Sequence, residues 1–129
     1  MTKKIIEIQS LLTPEEVSKK LENDLATRNI PIFAKFDHKK NADEVSLSLD
    51  FNTVYVFGSP IVGTKLMQEN PAISIALPLK ISVWQNRDGN TTLSYQNIHD
   101  LAEEFNIKNN QVTDKIALLL ENIINTITK

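Results

Sequence analysis

Asp37-His38 sets a carboxylate next to an imidazole. Such a pair can do general acid–base chemistry when the carboxylate orients the ring and the ring moves a proton. Neighbours on a strand point to opposite faces, so the two converge only in a turn or a helix cap. The simpler expectation is that Asp37 caps a short helix and leaves His38 exposed. The second histidine, His99, stands beside Asp100 near a helix start, where the helix dipole favours a neutral ring. An ordinary surface position accounts for it. Two histidines so far apart have no ligand spacing such as His-x-x-x-His, so no metal site is expected. The absence of cysteine removes thiolate catalysis, thiolate metal ligation and disulfides together. Gly-x-Ser-x-Gly is also missing, which argues against a seryl nucleophile.

The segment Gly58-Ser59-Pro60-Ile61-Val62-Gly63-Thr64-Lys65 comes within one transposition of a phosphate-binding loop. Such a loop aims consecutive backbone N–H groups at phosphate oxygens. Pro60 has no N–H and opens a helix inside the supposed loop, and Ile61 and Val62 are bulky where small residues are needed. A joint between strand and helix explains the glycines better. Gly58 allows a sharp exit from the strand, and Gly63 is expected to let the helix backbone approach a neighbour. Ser59 would cap the helix, whose N-terminus offers a place for a carboxylate or small anion. Lys80, Trp84 and Tyr95 fall on two hairpin strands and could line a cleft, with the two aromatic rings stacking a flat ligand. Cross-strand packing is the plainer explanation. The candidate ligand-binding residues are therefore Asp37, His38, Ser59, Lys80, Trp84 and Tyr95, with no catalytic residue assigned and no cofactor.

These residues depend on a series of short elements. Lys4 to Ile8 is a β-branched run that suits a strand. Thr13-Pro14-Glu15-Glu16 combines an N-cap, a proline at the first helical position and a reciprocal glutamate. Val17, Leu21 and Leu25 give the helix after it one apolar stripe. Ile30 to Phe36 alternates like a half-buried strand. Asp37 to Glu44 is polar, and Val45 to Leu49 alternates weakly; the region 38–49 is open to helix, strand or loop. Val54 to Phe57 predicts a buried strand, and Pro60 to Glu69 a helix stopped by Pro71. Leu79–Trp84 and Thr92–Tyr95 flank the turn at Asp88-Gly89 as a hairpin. Asn97 caps a further helix. A last one from Asn110 carries Val112, Ile116, Leu119, Leu120, Ile123 and Ile127, with Met67 in the middle helix read as core filler. The pattern predicts a single α+β domain over residues 1–129, a two-layer α/β sandwich with helices on one face of a largely antiparallel sheet.

Composition agrees with a globular chain: 129 residues, 41% hydrophobic and 23% charged. A net charge of −2 with dispersed basic residues argues against nucleic-acid binding. No apolar run reaches the roughly 20 residues of a membrane span. The N-terminus is charged again at Glu7 and lacks the core of a signal peptide, so a cytoplasmic location is expected.

Phe57-Gly58-Ser59-Pro60, Gly63-Thr64, Leu66-Met67, Pro71, Leu77-Pro78-Leu79-Lys80, Trp84, Gly89 and Tyr95 together resemble a bacterial and archaeal family, the domain of unknown function 302. Asp37-His38 followed by Ala42 is similar to its pattern as well. The resemblance covers Val17 to Phe105, with the helix over 110–129 partly outside it, and Ser59 stands where the family more often has Asn. It implies a two-layer α/β sandwich, often dimeric, with no established activity.

The last helix adds an expectation of its own. Leu118-Leu119-Leu120 and Ile123-Ile124 make its apolar surface wider than one face, which calls for a second cover. A homodimer is the expected source. The function expected is thus a non-enzymatic, dimeric domain binding a small molecule, an anion or a protein. The alternatives are a small enzyme using Asp37, His38 and Tyr95 on an anionic substrate, and a purely structural dimerisation module.

Overall fold

The computed structural model describes residues 4–129. Met1, Thr2 and Lys3 of the N-terminal reading lie outside them. Five strands form one antiparallel sheet, ordered β1 (Ile5–Ser10), β5 (Thr91–Gln96), β4 (Leu79–Gln85), β3 (Asn52–Phe57), β2 (Ile32–Asp37). Between them run the helices α1 (Pro14–Thr27), α2 (His38–Glu44) and α3 (Pro60–Glu69), and a 3-10 segment over Pro71–Ala76. α4 (Ile98–Glu104) and α5 (Asn110–Ile127) follow the last strand. This is the expected α+β architecture.

Strand alternation divides the side chains between two layers. Tyr55, Phe57, Ile81, Val83 and Leu93 are fully buried beneath the helices, together with Leu21 and Leu25 of α1 and Ile123 and Ile127 of α5. The opposite sheet face carries Lys80, Ser82, Trp84 and Ser94, which are half-buried. α1 starts as its sequence demands. Thr13 Oγ1 accepts from the Glu16 N–H at 3.1 Å, and Glu16 Oε1 accepts from the Thr13 N–H at 3.2 Å.

Residues 38–49 resolve into two parts. Asp37 Oδ1 accepts from the Lys40 N–H at 3.0 Å, so a short helix does form. Val45 to Leu49 is no strand: Ser46 turns the chain at φ 61°, and Val45 and Leu47 are exposed. Alternation without a partner strand cannot satisfy the backbone, and β2 is already the sheet edge.

The wide apolar surface of α5 finds its cover within the chain. α5 packs against α1, α4 and α3, and Val112, Ile116, Leu120, Ile123, Ile124 and Ile127 are all buried. Leu118 alone of that stretch stands in solvent, at 58% exposure. The width of this helix therefore requires no second subunit.

Candidate functional site

Gly58 leaves β3 at φ +153°, a conformation open to glycine, and brings the chain to the first turn of α3. Pro60 opens the helix as expected, with its fixed φ suited to that position. Ser59 occupies the N-cap in extended conformation, yet its side chain accepts no capping hydrogen bond. That corrects the expectation that it would act as a capping serine. Ser59 instead lines a cleft.

The cleft has two chambers that share the wall formed by Gly58, Ser59, Val62, Leu79 and Ile116. The larger has a volume of about 420 Å³ and lies among α3, Phe33 of β2 and the Leu77-Pro78-Leu79 segment. Leu66, Met67, Leu77 and Ile116 make its wall predominantly apolar, with Thr64 and Ser74 as polar points. The Leu77-Pro78 peptide bond is cis. The smaller chamber, about 210 Å³, lies between α3 and the start of α5 and adds Lys65, Lys115, Asn109 and Gln111.

Gly63 departs from its sequence reading. It was expected to allow close backbone contact, but a β-carbon there would meet nothing nearer than Met67 Cε at 3.8 Å and Leu77 Cδ1 at 4.0 Å. The glycine leaves space instead of closing it. Met67 packs against the core as expected and also lines this wall.

The remaining candidates do not join this cleft. Asp37 is consumed in capping α2, and the exposed His38 ring stacks on Phe36 with centroids 6.4 Å apart. Tyr95 pairs with Ile81 on the helix-covered face, where burial, and secondly Glu121, holds its hydroxyl above the usual phenol range. Trp84 lies on the opposite face and donates from Nε1 to Ser94 Oγ at 2.8 Å. Lys80 shares that face and donates to the carbonyls of Pro78 at 3.2 Å and Ala76 at 3.4 Å; burial lowers its pKa. Alternation along the hairpin thus separates Tyr95 from Trp84 and Lys80, and the three line no common cleft. His99 Nε2 sits 3.7 Å from Asp114 Oδ1, both largely exposed. Among the described residues, no three His, Asp or Glu side chains gather as a metal group.

Between α1 and the sheet lies one further cluster. The buried Tyr55 hydroxyl donates to Glu22 Oε2 at 2.5 Å, and Lys35 Nζ donates to the same oxygen at 3.0 Å. The Tyr55 hydrogen bond, and then Lys35, hold the Glu22 carboxyl below its ordinary value despite some burial. This cluster ties β2 and β3 to α1.

Sequence reasoning missed Phe33, Leu77, Ile116, Lys65 and Lys115. The signal that could have found Ile116 was the breadth of α5, whose Ile116 and Leu119 turn toward the chambers. Phe33 at the bulge in β2 gave no such sign, since a bulge shifts the strand's alternation locally.

The fold defines an antiparallel α+β sandwich with a cleft beside its third helix. The chain belongs to the family described as Domain of unknown function DUF302, whose model matches residues 6–124 and takes in most of α5. The crystal structure of an uncharacterized conserved DUF302 protein from Bacillus stearothermophilus superposes with a TM-score of 0.76 at 17% identity, covering 98% of this chain and 97% of that one. That likeness is one of fold. Among curated proteins, the chain is 24% identical over 103 residues to the Fluoride-specific ion channel FluC 1 of Brucella suis biovar 1, covering 80% of this chain and 41% of that one. It matches FluC 2 of Brucella melitensis biotype 1 with the same identity, covering 38% of that protein. The chain therefore spans about two-fifths of the length of the curated relatives it matches. Among its own described residues no helix is long and apolar enough to cross a membrane.

Proposed function

We propose that this chain is a non-enzymatic binding domain that holds a small molecule in the cleft beside α3. The observation that carries the reading is the 420 Å³ chamber, whose mostly apolar wall is interrupted by a few hydroxyls. Small-molecule sites have this constitution and run from about 300 to 1,000 Å³. A glycine at position 63, where any larger residue would occupy the space, keeps the chamber open.

The enzyme alternative is weakened by distance. Asp37 and His38 lie at β2 and Tyr95 on β5, three strand spacings away. At ~4.8 Å per spacing that is about 14 Å, far beyond a shared hydrogen bond. The channel named in the Brucella relatives belongs to proteins of which this chain matches a minor part. What supports a module here is that a stretch 24% identical to it occurs there within a larger protein.

We retain the homodimer as part of the reading, on residues other than those of α5. β2 is an edge strand and exposes Ile32, Phe33 and Phe36. Exposed apolar residues on a free edge are what a second copy would cover. A chain with no cysteine also suits a reducing cytoplasm.

The test is a thermal-shift screen of metabolites on the wild type and on Gly63→Phe, whose ring would fill the chamber. A compound at 100 times its Kd should stabilise the wild type by about 2.7 kcal/mol and leave the variant unmoved. Equal stabilisation of both, or silence across the screen, overturns the reading.

A further inference from the structure

The larger chamber opens toward a rim of different character. Lys65 of α3 and Lys115 of α5 line the smaller chamber, with Asn109 and Gln111 as neutral donors and no acidic residue among its lining. Neither lysine takes part in an ion pair among the described residues. The nearest acidic side chain along α3, Glu69, is turned to the α5 start, where it accepts from the N–H groups of Lys108 at 2.8 Å and Asn109 at 3.2 Å. On a chain whose net charge is −2, two uncompensated lysines facing one cavity are a local reversal of sign.

The two chambers adjoin along their common wall. Val62, Leu79 and Ile116 line both, which sets the apolar Leu66, Met67 and Leu77 on one side and the two lysines on the other, with Ser59 bordering each. The Ser59 hydroxyl, unused as a cap, stands at the junction. We infer that the ligand class is a small amphipathic anion: a compact apolar body carrying a single carboxylate that sits between Lys65 and Lys115. This rests on the reading of the cleft as a ligand site. A neutral ligand would leave the two ammonium groups idle, and a cation would be repelled. The head gains charge-assisted hydrogen bonds, stronger than neutral ones, beside an apolar wall.

Octanoate, octanol and octylammonium separate the possibilities, measured by calorimetry on the wild type, Lys65→Gln, Lys115→Gln and the double variant. Both lysines are exposed, so the variants should fold, which their thermal unfolding checks. The expected result is that octanoate binds at least tenfold tighter than octanol, that octylammonium binds weakest, and that the double variant erases the preference. Equal binding of octanoate and octanol, or preference for the cation, overturns the anionic class while the cleft itself stands. If octanoate binds with its preference intact in the double variant, the lysines are not its partners and the inference fails. Should no probe bind although other compounds respond to Gly63→Phe, the class is wrong and the site is right. If Gly63→Phe changes no compound's response, the cleft fails with it.

Discussion

Gly63 in α3 faces Leu77: a β-carbon on the glycine would stand 4.0 Å from Leu77 Cδ1 and 3.8 Å from Met67 Cε, ordinary van der Waals contacts that no atom has to move to allow. A helix interior normally disfavours glycine by ~0.5–1 kcal/mol relative to alanine. Gly63→Ala should therefore stabilise the fold by about that amount and raise Tm by roughly 2–5 °C. Calorimetry checks this; a lower Tm would mean the space is not free.

Tyr55→Phe should cost about 1–2 kcal/mol in chemical denaturation, because it removes the hydrogen bond to a charged Glu22 without leaving a buried orphan. The pH dependence follows from the Glu22 carboxyl, held below the ordinary carboxylate range chiefly by the Tyr55 hydrogen bond. A carboxyl lowered in the folded state contributes stability above its unfolded pKa and loses it as pH falls. The difference between wild type and Tyr55→Phe should be full near pH 7 and shrink below about pH 4.5. A difference unchanged down to pH 3 would contradict the assignment.

On the alkaline side the sign reverses. Burial raises the phenol pKa of both Tyr55 and Tyr95 above the ordinary value of about 10, so the unfolded chain ionises first. Stability from these groups is present below pH 10 and is lost as pH rises beyond it. Denaturation curves from pH 8 to 11 should show this decline, and Tyr55→Phe should flatten part of it.

Asp37→Ala should destabilise by about 1 kcal/mol through loss of the α2 cap, with ligand affinity unaltered. His38→Ala should change stability by less than about 0.5 kcal/mol, since the ring is exposed and stacks only on Phe36. A tenfold loss of binding in either would revive the acid–base pair as part of a site.

Light scattering at micromolar concentration should return twice 14.6 kDa, and Phe36→Glu should convert the particle to a monomer. A wild-type monomer would remove the dimer from the account.

Much of the fold was legible because its local signals are strong. Thr13-Pro14 with Glu16, Pro60 and Pro71 mark helix boundaries by backbone constraint, and Gly89 takes φ 84° at the hairpin turn. These effects act within a few residues and need no tertiary knowledge. Val45 to Leu49 stayed open because alternation signals a strand only where a partner is available. The cleft was illegible for a related reason. Its wall joins Phe33, Gly63, Leu77 and Ile116, residues that packing brings together from three separate elements and the segment before β4. Ser59 was marked for the right place but the wrong task, since an N-cap serine predicts a hydrogen bond that this one does not make. Trp84 and Tyr95 were grouped by nearness in the hairpin, and strand alternation then sent them to opposite faces.

Amide chemical-shift mapping by NMR, with the most strongly stabilising compound from the screen, tests the central claim most directly. The account predicts perturbations confined to residues 30–33, 58–67, 74–79 and 109–119. Perturbations centred on Lys80 and Trp84 across the sheet, or on Asp37 and His38 at its edge, would contradict it.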